Sequence, residues 1–301
     1  MPELPEVETV RDGLARHVLG RSVVDVDVLR DYSVRRQPGG PAELAGVLRG
    51  RGLERAVRRG KFLWLELDGA DAGGGEALGA HLGMSGQLLV RPPGAVPAVD
   101  AVRHLRVRLH LDDLSALDFV DQRTFGHLLT DELVPTPDGA PGGQGSSLPV
   151  VPAHVAHIAR DLLDPALDRE TLVGTFLGKR SEVKRVLLDQ RVVSGVGNIY
   201  ADEALWRAGV HYAHISARLA PDRVHDLLGH AADVMRAALR EGGTSFDALY
   251  VNVNGASGYF DRSLDAYGRA GEDCRRCGTA IVREAFMNRS SHLCPGCQQL
   301  P

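Results

Sequence analysis

Four cysteines, Cys274, Cys277, Cys294 and Cys297, constrain this chain more than any other feature, because they are the only ones in 301 residues and all fall in the last 28. They form two C-x2-C pairs separated by sixteen residues. Paired disulfides do not suit a reducing compartment, whereas two such knuckles supply four thiolates to one tetrahedral ion. Gly278 and Gly296 relieve the tight turns this requires. One structural Zn2+ held by these four residues is the expectation; a redox pair or four unrelated buried cysteines are the competing readings.

The length suits two domains and a small accessory module, and 44% hydrophobic with 25% charged residues is the composition of a folded globular protein. No stretch approaches eighteen consecutive apolar residues, and the acidic N-terminus lacks the basic and apolar regions of a signal peptide, so a cytoplasmic protein is expected. The formal net charge of -4 gives no general sign of a polyanionic partner. Any such argument rests on local charge, as in "RGRGLERAVRRGK", residues 49–61, where six Arg or Lys stand against Glu54. Alone, a basic run of this kind reads as a solvated face.

Up to about residue 134 the chain reads as strands after one helix. Val24, Val26 and Val28 alternate with Asp25 and Asp27, and Leu105, Val107, Leu109 and Leu111 alternate with Arg106, Arg108 and His110. "FLWLEL" and "ALDFV" add strands between Gly-rich stretches, which predicts an N-terminal β-sandwich or barrel over residues 1–134. Residues 135–152, rich in Pro, Gly and Ser, read as a linker. The period then becomes helical over 153–266: "PDRVHDLLGHAADVMRAALREGG" places Val224, Leu227, Leu228, Ala231, Met235 and Leu239 on one face, and "SEVKRVLLDQ" and "IYADEALWRAG" predict two helices joined by "RVVSGVGN". That joint can aim several backbone N–H groups at a phosphate, or be an ordinary helix–helix turn. Residues 267–301 carry the cysteines.

The chain opens "MPELPE", with Glu3 and Glu6 around Pro5 and with Val7, Val10, Leu14 and Val18 following at helical spacing. Proline and acidic residues favour a first helical turn, and on those facts capping accounts for the segment.

Taken together, these pieces resemble the bacterial formamidopyrimidine-DNA glycosylases. The resemblance covers nearly the whole chain and rests on "MPELPEVETVR", "RRGKFL", "HLGMSG", "DQRTFG", "GVGNIYADEALW" and "NRSSHLCPGC" in that order. It implies an α+β multidomain protein: a helix and β-sandwich, a helix-two-turn-helix domain, and a C-terminal zinc-bound β-hairpin. It further implies a monomeric base-excision-repair enzyme that removes oxidised purines from double-stranded DNA, lying between the domains, and then cuts the strand by β,δ-elimination.

By that resemblance Pro2 is the nucleophile once Met1 is removed. The chemistry is coherent, since an α-amine with a pKa near about 7.7 is substantially unprotonated at neutral pH, and a secondary amine yields a cationic iminium directly. Glu3 is implied as the general acid at the sugar ring oxygen, and Glu6 as the residue that positions the amine or a water. Lys61 is implied at the phosphate beside the lesion. Met84, Arg123 and Phe125 match the residues that fill the gap left by an extruded nucleotide; without the family pattern, Met84 and Phe125 read as core. Phosphate contacts are implied for His104, Lys179 or Arg180, Lys184, Asn198 and Arg289, with Arg289 also assisting the second elimination. A four-thiolate zinc has no open coordination position, and its part is to fold the hairpin. That hairpin, as a terminal module, is expected to lose its metal without disturbing the rest of the fold.

The chain departs from the family pattern at Gln122 and Thr124, at Arg106 in place of a second histidine, and at Asn288. The sister endonuclease VIII type, which prefers oxidised pyrimidines, is the nearest rival. Leu4, Pro5 and the "NGASGYF" stretch near Tyr259 favour the purine enzyme. A noncatalytic zinc-containing DNA-binding protein is the alternative of a different class.

Overall fold

The structure is a computed structural model that describes residues 2–243 and 263–300; "NGASGYF" lies outside them. The chain divides into two units, the first running to His157 and including Gly242 and Gly243, the second spanning 158–241 and 263–300.

In the first unit, helix α1 (Leu4–His17) forms as its pattern requires: Val7, Val10 and Leu14 are buried, and Glu3 and Glu6 cap its start reciprocally. Strand β1 (Val23–Val28) and helix α2 (Gly40–Leu48) follow, then β2 (Leu53–Arg59), β3 (Phe62–Leu67), β4 (Gly75–His81), β5 (Gly86–Arg91), β6 (Leu105–Leu111), β7 (Ala116–Asp121), β8 (His127–Pro135) and β9 (Val150–Pro152). They make two antiparallel sheets, ordered β1-β6-β7-β5 and β2-β3-β4-β8-β9. One core joins α1 to both, through Leu14, Leu65, Leu78, Leu109 and Phe119 among others.

Alternation survives in β6, where Leu105, Val107, Leu109 and Leu111 are all buried. It fails at Val24, which is exposed while Val23 and Val26 are buried, because a bulge between Val23 and Asp25 shifts the register. Arg108 is buried too, its charge met by both oxygens of Asp118 at 2.6 and 2.9 Å.

Residues 135–152 are not a linker. Leu133, Val134 and Pro135 pair with Pro152, Val151 and Val150, so β9 extends the sheet. Between them the chain reaches the opposite edge, where Arg58 and Gln144 exchange backbone hydrogen bonds of 2.9 Å each way. The glycines that suggested flexibility instead permit contact: a Cβ on Gly143 would stand 2.3 Å from the Arg58 carbonyl oxygen. The first unit therefore extends past residue 134 to His157.

In the second unit, α3 (Arg169–Leu177), α4 (Val183–Leu188), α5 (Asn198–Ala208) and α6 (Pro221–Arg240) precede the hairpin of β10 (Val282–Phe286) and β11 (Arg289–Leu293). Asp168 caps α3 by accepting from Glu170 N and Thr171 N. The helices and the hairpin form one unit rather than two modules. The buried Glu203 carboxylate on α5 accepts the amides of Asp265, Ala266 and Tyr267 at 2.8–2.9 Å, fastening the segment that leads to the cysteines. Burial raises its pKa, against the pull of those three donors.

Candidate functional site

The first cluster is the start of α1. Pro2 is buried, Glu3 and Glu6 are each 3% exposed, and the Glu3 amide donates to Glu6 Oε2 at 2.9 Å. Capping and placement are thus one device: the bonds that begin the helix also fix two carboxylates beside Pro2.

Lys61 occupies the two-residue turn between β2 and β3, after Gly60 at φ +57°. Arg58 ties this turn to α1, since its Nε donates to Glu8 Oε2 at 2.8 Å and its Nη1 to the Gly60 carbonyl at 3.1 Å. Arg59 Nε donates to the Gly142 carbonyl at 2.7 Å, so the 135–152 segment braces the same turn.

Met84 and the pair Arg123 and Phe125 lie on loops 82–85 and 122–126. Both loops join the His81↔His127 pair of one sheet to the Gly86↔Asp121 pair of the other, so they run side by side. Met84 is half-buried, Arg123 and Phe125 are exposed, and the Arg123 guanidinium stands 5.1 Å over the Phe125 ring. His104, at φ +63°, accepts the Asp121 amide through its carbonyl at 3.0 Å, and Arg106 Nε donates to the Asp121 carbonyl at 2.8 Å. The departure at Arg106 therefore braces the loop's base. Burial and the neighbouring Arg103 and Arg106 lower the His104 pKa.

In the second unit, Arg289 is exposed at the head of β11, after a turn with Met287 at φ +54° and Asn288. A cavity of about 400 Å3 lies between this turn and the helices, lined by Lys179, Arg185, Asp189, Arg191, Met287 and Arg289 among others. It brings Lys179 and Arg289 together and adds two arginines that the motifs did not single out. Nothing in the sequence separates Arg185 and Arg191 from ordinary surface charge, because only the fold turns them toward Arg289. The joint between α4 and α5 is organised by Gln190, whose side chain donates to the Leu188 and Val196 carbonyls and accepts from Gly195 N.

Lys184 contradicts its expected role. Its side chain is fully buried, 2.6 Å from Asp202 Oδ1, and donates to Ser291 Oγ at 2.7 Å and the Ser290 carbonyl at 3.1 Å. An ammonium with these partners is not available to a phosphate; it clamps α4 and α5 to β11. Asp202 completes the clamp by accepting the His292 amide at 2.9 Å. Asn198 also turns inward, donating to the Ser290 carbonyl at 2.9 Å while its Oδ1 is buried without a partner among the described residues.

The four cysteine sulfurs lie within 4.8 Å of one another, with 3.9 Å from Cys274 to Cys297 and 3.4 Å from Cys277 to both Cys294 and Cys297. Zn–S bonds of about 2.3 Å in a tetrahedron require sulfur separations of about 3.8 Å, so the donor set fits zinc. Trp206 Nε1 of α5 donates to Cys274 Sγ at 3.3 Å, and Trp206, Ala266, Cys274, Ile281 and Cys294 share one core.

Comparisons with known proteins agree along the chain. Family models match for the formamidopyrimidine-DNA glycosylase N-terminal domain over residues 1–128, the formamidopyrimidine-DNA glycosylase H2TH domain over 158–248, and the zinc finger found in FPG and IleRS over 271–300. A formamidopyrimidine-DNA glycosylase of Nocardioides sp. is 58% identical, covering 100% of this chain and 95% of its own length. One of Mycobacterium sp. is 56% identical over 100% and 98% respectively. Among solved structures, Lactococcus lactis Fpg with abasic-site DNA superposes with a TM-score of 0.80 at 26% identity, covering 99% of this chain and 100% of that one. MutM with DNA containing carbocyclic 8-oxo-G matches with a TM-score of 0.80 at 27% identity, over the same shares of each chain.

Proposed function

The chain belongs to the formamidopyrimidine-DNA glycosylase family, and from that premise we propose how its own residues carry the reaction. The protein is a DNA glycosylase and AP lyase that removes oxidised purines from damaged DNA and holds one structural zinc ion. Among the described residues no helix is long and apolar enough to cross a membrane, and a cytoplasmic place of work beside bacterial DNA fits the relatives.

Once Met1 is removed, the Pro2 amine attacks C1′ of the damaged nucleotide, the bond from C1′ to the base breaks with its electrons leaving on the base, and the departing base takes up the proton that the Pro2 nitrogen loses. Glu3 gives a proton to the ring oxygen as the C1′–O bond opens, which leaves an iminium between C1′ and Pro2. The iminium acidifies C2′, and loss of that proton expels the 3′ phosphate, then a second elimination the 5′ phosphate. Glu6 holds the backbone of Glu3 and so the attacking geometry. Lys61 serves the phosphate beside the lesion, and Arg289 with Lys179 grips phosphate in the cationic cavity. His104, Met84, Arg123, Phe125 and the Asn198 turn complete the contacts to DNA, with Arg123 bonding the unpaired partner base. The zinc, closed by Cys274, Cys277, Cys294 and Cys297, contributes the fold of the hairpin that presents Arg289.

The single observation behind this reading is the buried corner at Pro2, where Glu3 and Glu6 are both nearly excluded from water and locked by the capping box. Borohydride trapping on a lesion duplex tests it. The processed protein should form a covalent adduct, and an N-terminal extension that makes the amine an amide should abolish both adduct and strand cleavage, a loss of at least about a thousandfold. Cleavage that survives the extension would remove Pro2 from the mechanism, whereas neither adduct nor cleavage in either protein would leave the noncatalytic reading.

A further inference from the structure

We propose that Arg35, acting with the buried pair Ser85 and Asp121, is the positioning residue that locks the Met84 loop and the Arg123–Phe125 loop into one rigid wedge. The inference rests on the reading of Met84, Arg123 and Phe125 as the residues that occupy the gap left by an extruded nucleotide. It adds the support without which three side chains on two separate loops could not act together.

The two loops are bolted from both sides. From beneath, Asp121 is buried and its two oxygens divide the work: Oδ1 accepts from Ser85 Oγ at 2.6 Å, and Oδ2 accepts from the Gly126 amide at 2.8 Å. Ser85 Oγ then accepts the Arg123 amide at 3.0 Å. One carboxylate and one hydroxyl therefore connect the loop carrying Met84 to both ends of the loop carrying Arg123 and Phe125. The backbones also touch, since a Cβ on Gly83, at φ +62°, would stand 2.5 Å from Gly126 N and 2.6 Å from the Phe125 carbonyl carbon. From the outside, the Arg35 guanidinium donates to the Phe125 carbonyl at 2.9 Å and to the Gly126 and Tyr32 carbonyls at 2.8 and 2.9 Å. It lies 4.5 Å over the Tyr32 ring as well, so the donor fork is itself held.

Local conformation shows why such a lock is needed. Thr124, between the two exposed side chains, sits at φ +56°, a left-handed conformation that costs a non-glycine residue free energy. Phe125 is 50% exposed, so packing alone does not hold it. Arg35 fits the task because a planar guanidinium can bond two adjacent carbonyls at once, which an ammonium cannot do in one fixed geometry.

The test compares Arg35→Ala, Arg35→Lys, Ser85→Ala and Phe125→Ala with the parent protein. Four quantities are measured: single-turnover excision of 8-oxoguanine opposite cytosine, the ratio of excision opposite cytosine to that opposite adenine, lyase activity on a preformed abasic site in single-stranded DNA, and the salt dependence of binding to undamaged duplex. Arg35→Ala should lower duplex excision on the order of tenfold to a hundredfold and reduce the cytosine-to-adenine ratio, because misplacing a reading group by about 1 Å has effects of that size. Single-strand lyase activity should stay within about twofold, since no gap has to be filled there. Arg35→Lys should recover part of the loss, and Ser85→Ala, which breaks the lock from the buried side, should reproduce the altered ratio even if Arg35→Ala is poorly folded.

If Phe125→Ala impairs duplex excision and neither Arg35→Ala nor Ser85→Ala does, the lock is wrong while the wedge reading stands. If Phe125→Ala itself leaves duplex excision intact, the wedge reading falls and the lock with it. Equal loss of duplex excision and single-strand lyase in Arg35→Ala and Ser85→Ala would mean general damage to the fold and overturn the proposal. So would a salt slope reduced by about one on undamaged duplex, which marks a direct phosphate contact at Arg35.

Discussion

The paired loops of the first unit and the hairpin of the second both carry exposed functional side chains on short turns, yet they are held by different chemistry. Around Met84, Arg123 and Phe125 the support is distributed: a hydroxyl, two carboxylate oxygens on amide and hydroxyl donors, an arginine on backbone carbonyls, and the stacked rings of His81 and His127, 5.1 Å apart. Around Arg289 it is concentrated in four thiolates and in the buried ammonium of Lys184 against Asp202. A single hydrogen bond contributes about 0.5–1.5 kcal/mol, so losing one should shift the loops by degrees. Removing one partner of a buried charge pair costs about 3–5 kcal/mol, and a structural metal supplies more, so the hairpin should give way abruptly.

Removing zinc should produce the largest effect and breaks the comparison most directly. The expectation of a detachable hairpin changes here, because Trp206 of α5 bonds Cys274, Arg276 lies 4.4 Å over its ring, and Gln298 Nε2 donates to the Val210 carbonyl just beyond the helix. Chelation should therefore unfold the hairpin, weaken DNA binding and loosen the C-terminal end of α5, while the first unit stays folded. The two tryptophans, Trp64 and Trp206, fall one in each unit and report separately. In a Trp64→Phe protein the emission should change and move to longer wavelength on chelation. In a Trp206→Phe protein it should not. Equal changes in both would show that the units do not respond independently to the metal.

Next in size is Lys184. Lys184→Met leaves the Asp202 carboxylate, 1% exposed, without its cation, and should cost the second unit about 3–5 kcal/mol by thermal or urea denaturation. Adding Asp202→Leu should restore part of that loss, since no buried charge then remains unpaired. The His292 amide, which donates to Asp202 at 2.9 Å, still loses its acceptor, so recovery should be incomplete. A single-variant loss below about 1 kcal/mol would place this clamp in the same class as the neutral bonds of the loops.

Lys184 also marks where the sequence ceased to be legible. The four cysteines, the helix faces from Val224 to Met235 and the alternation in β6 are local patterns, and each is realised by local geometry. Whether a lysine in a motif meets solvent or a carboxylate is decided by residues far along the chain, here Asp202, Ser290 and Ser291. The same holds for Arg35, which reaches Phe125 across ninety positions, and for Arg185 and Arg191, which join Arg289 only in the folded unit. The misread segment at 135–152 has a different cause. Glycine serves both flexible linkers and places where backbones touch, and only the Arg58–Gln144 pairing tells the two apart.

The smallest expected effect is acid sensitivity of the loop bases, and it sharpens the contrast from the side of the first unit. His81 and His127 are cross-strand partners at the point where both loops leave the sheet. Burial first, then the charges of Arg36 and Arg35, lowers the His81 pKa from 6.5 to about 4; burial, His81 and the same arginines lower that of His127 to about 3. Between about pH 6.5 and 4 the unfolded chain thus binds protons that the folded chain excludes. Stability from this pair is fully present above pH 6.5 and declines as the pH falls through that window. Discounted for solvent screening, the loss at pH 5 should be about 1–2 kcal/mol. Acid also protonates zinc thiolates, so the measurement uses Trp206→Phe protein, in which Trp64 follows the first unit alone. The Trp64 melting temperature should fall between pH 7.5 and 5, and replacing His127 with Gln should flatten that dependence. An unchanged slope in the Gln variant would mean that the neutral histidine stack is no part of what holds the loops.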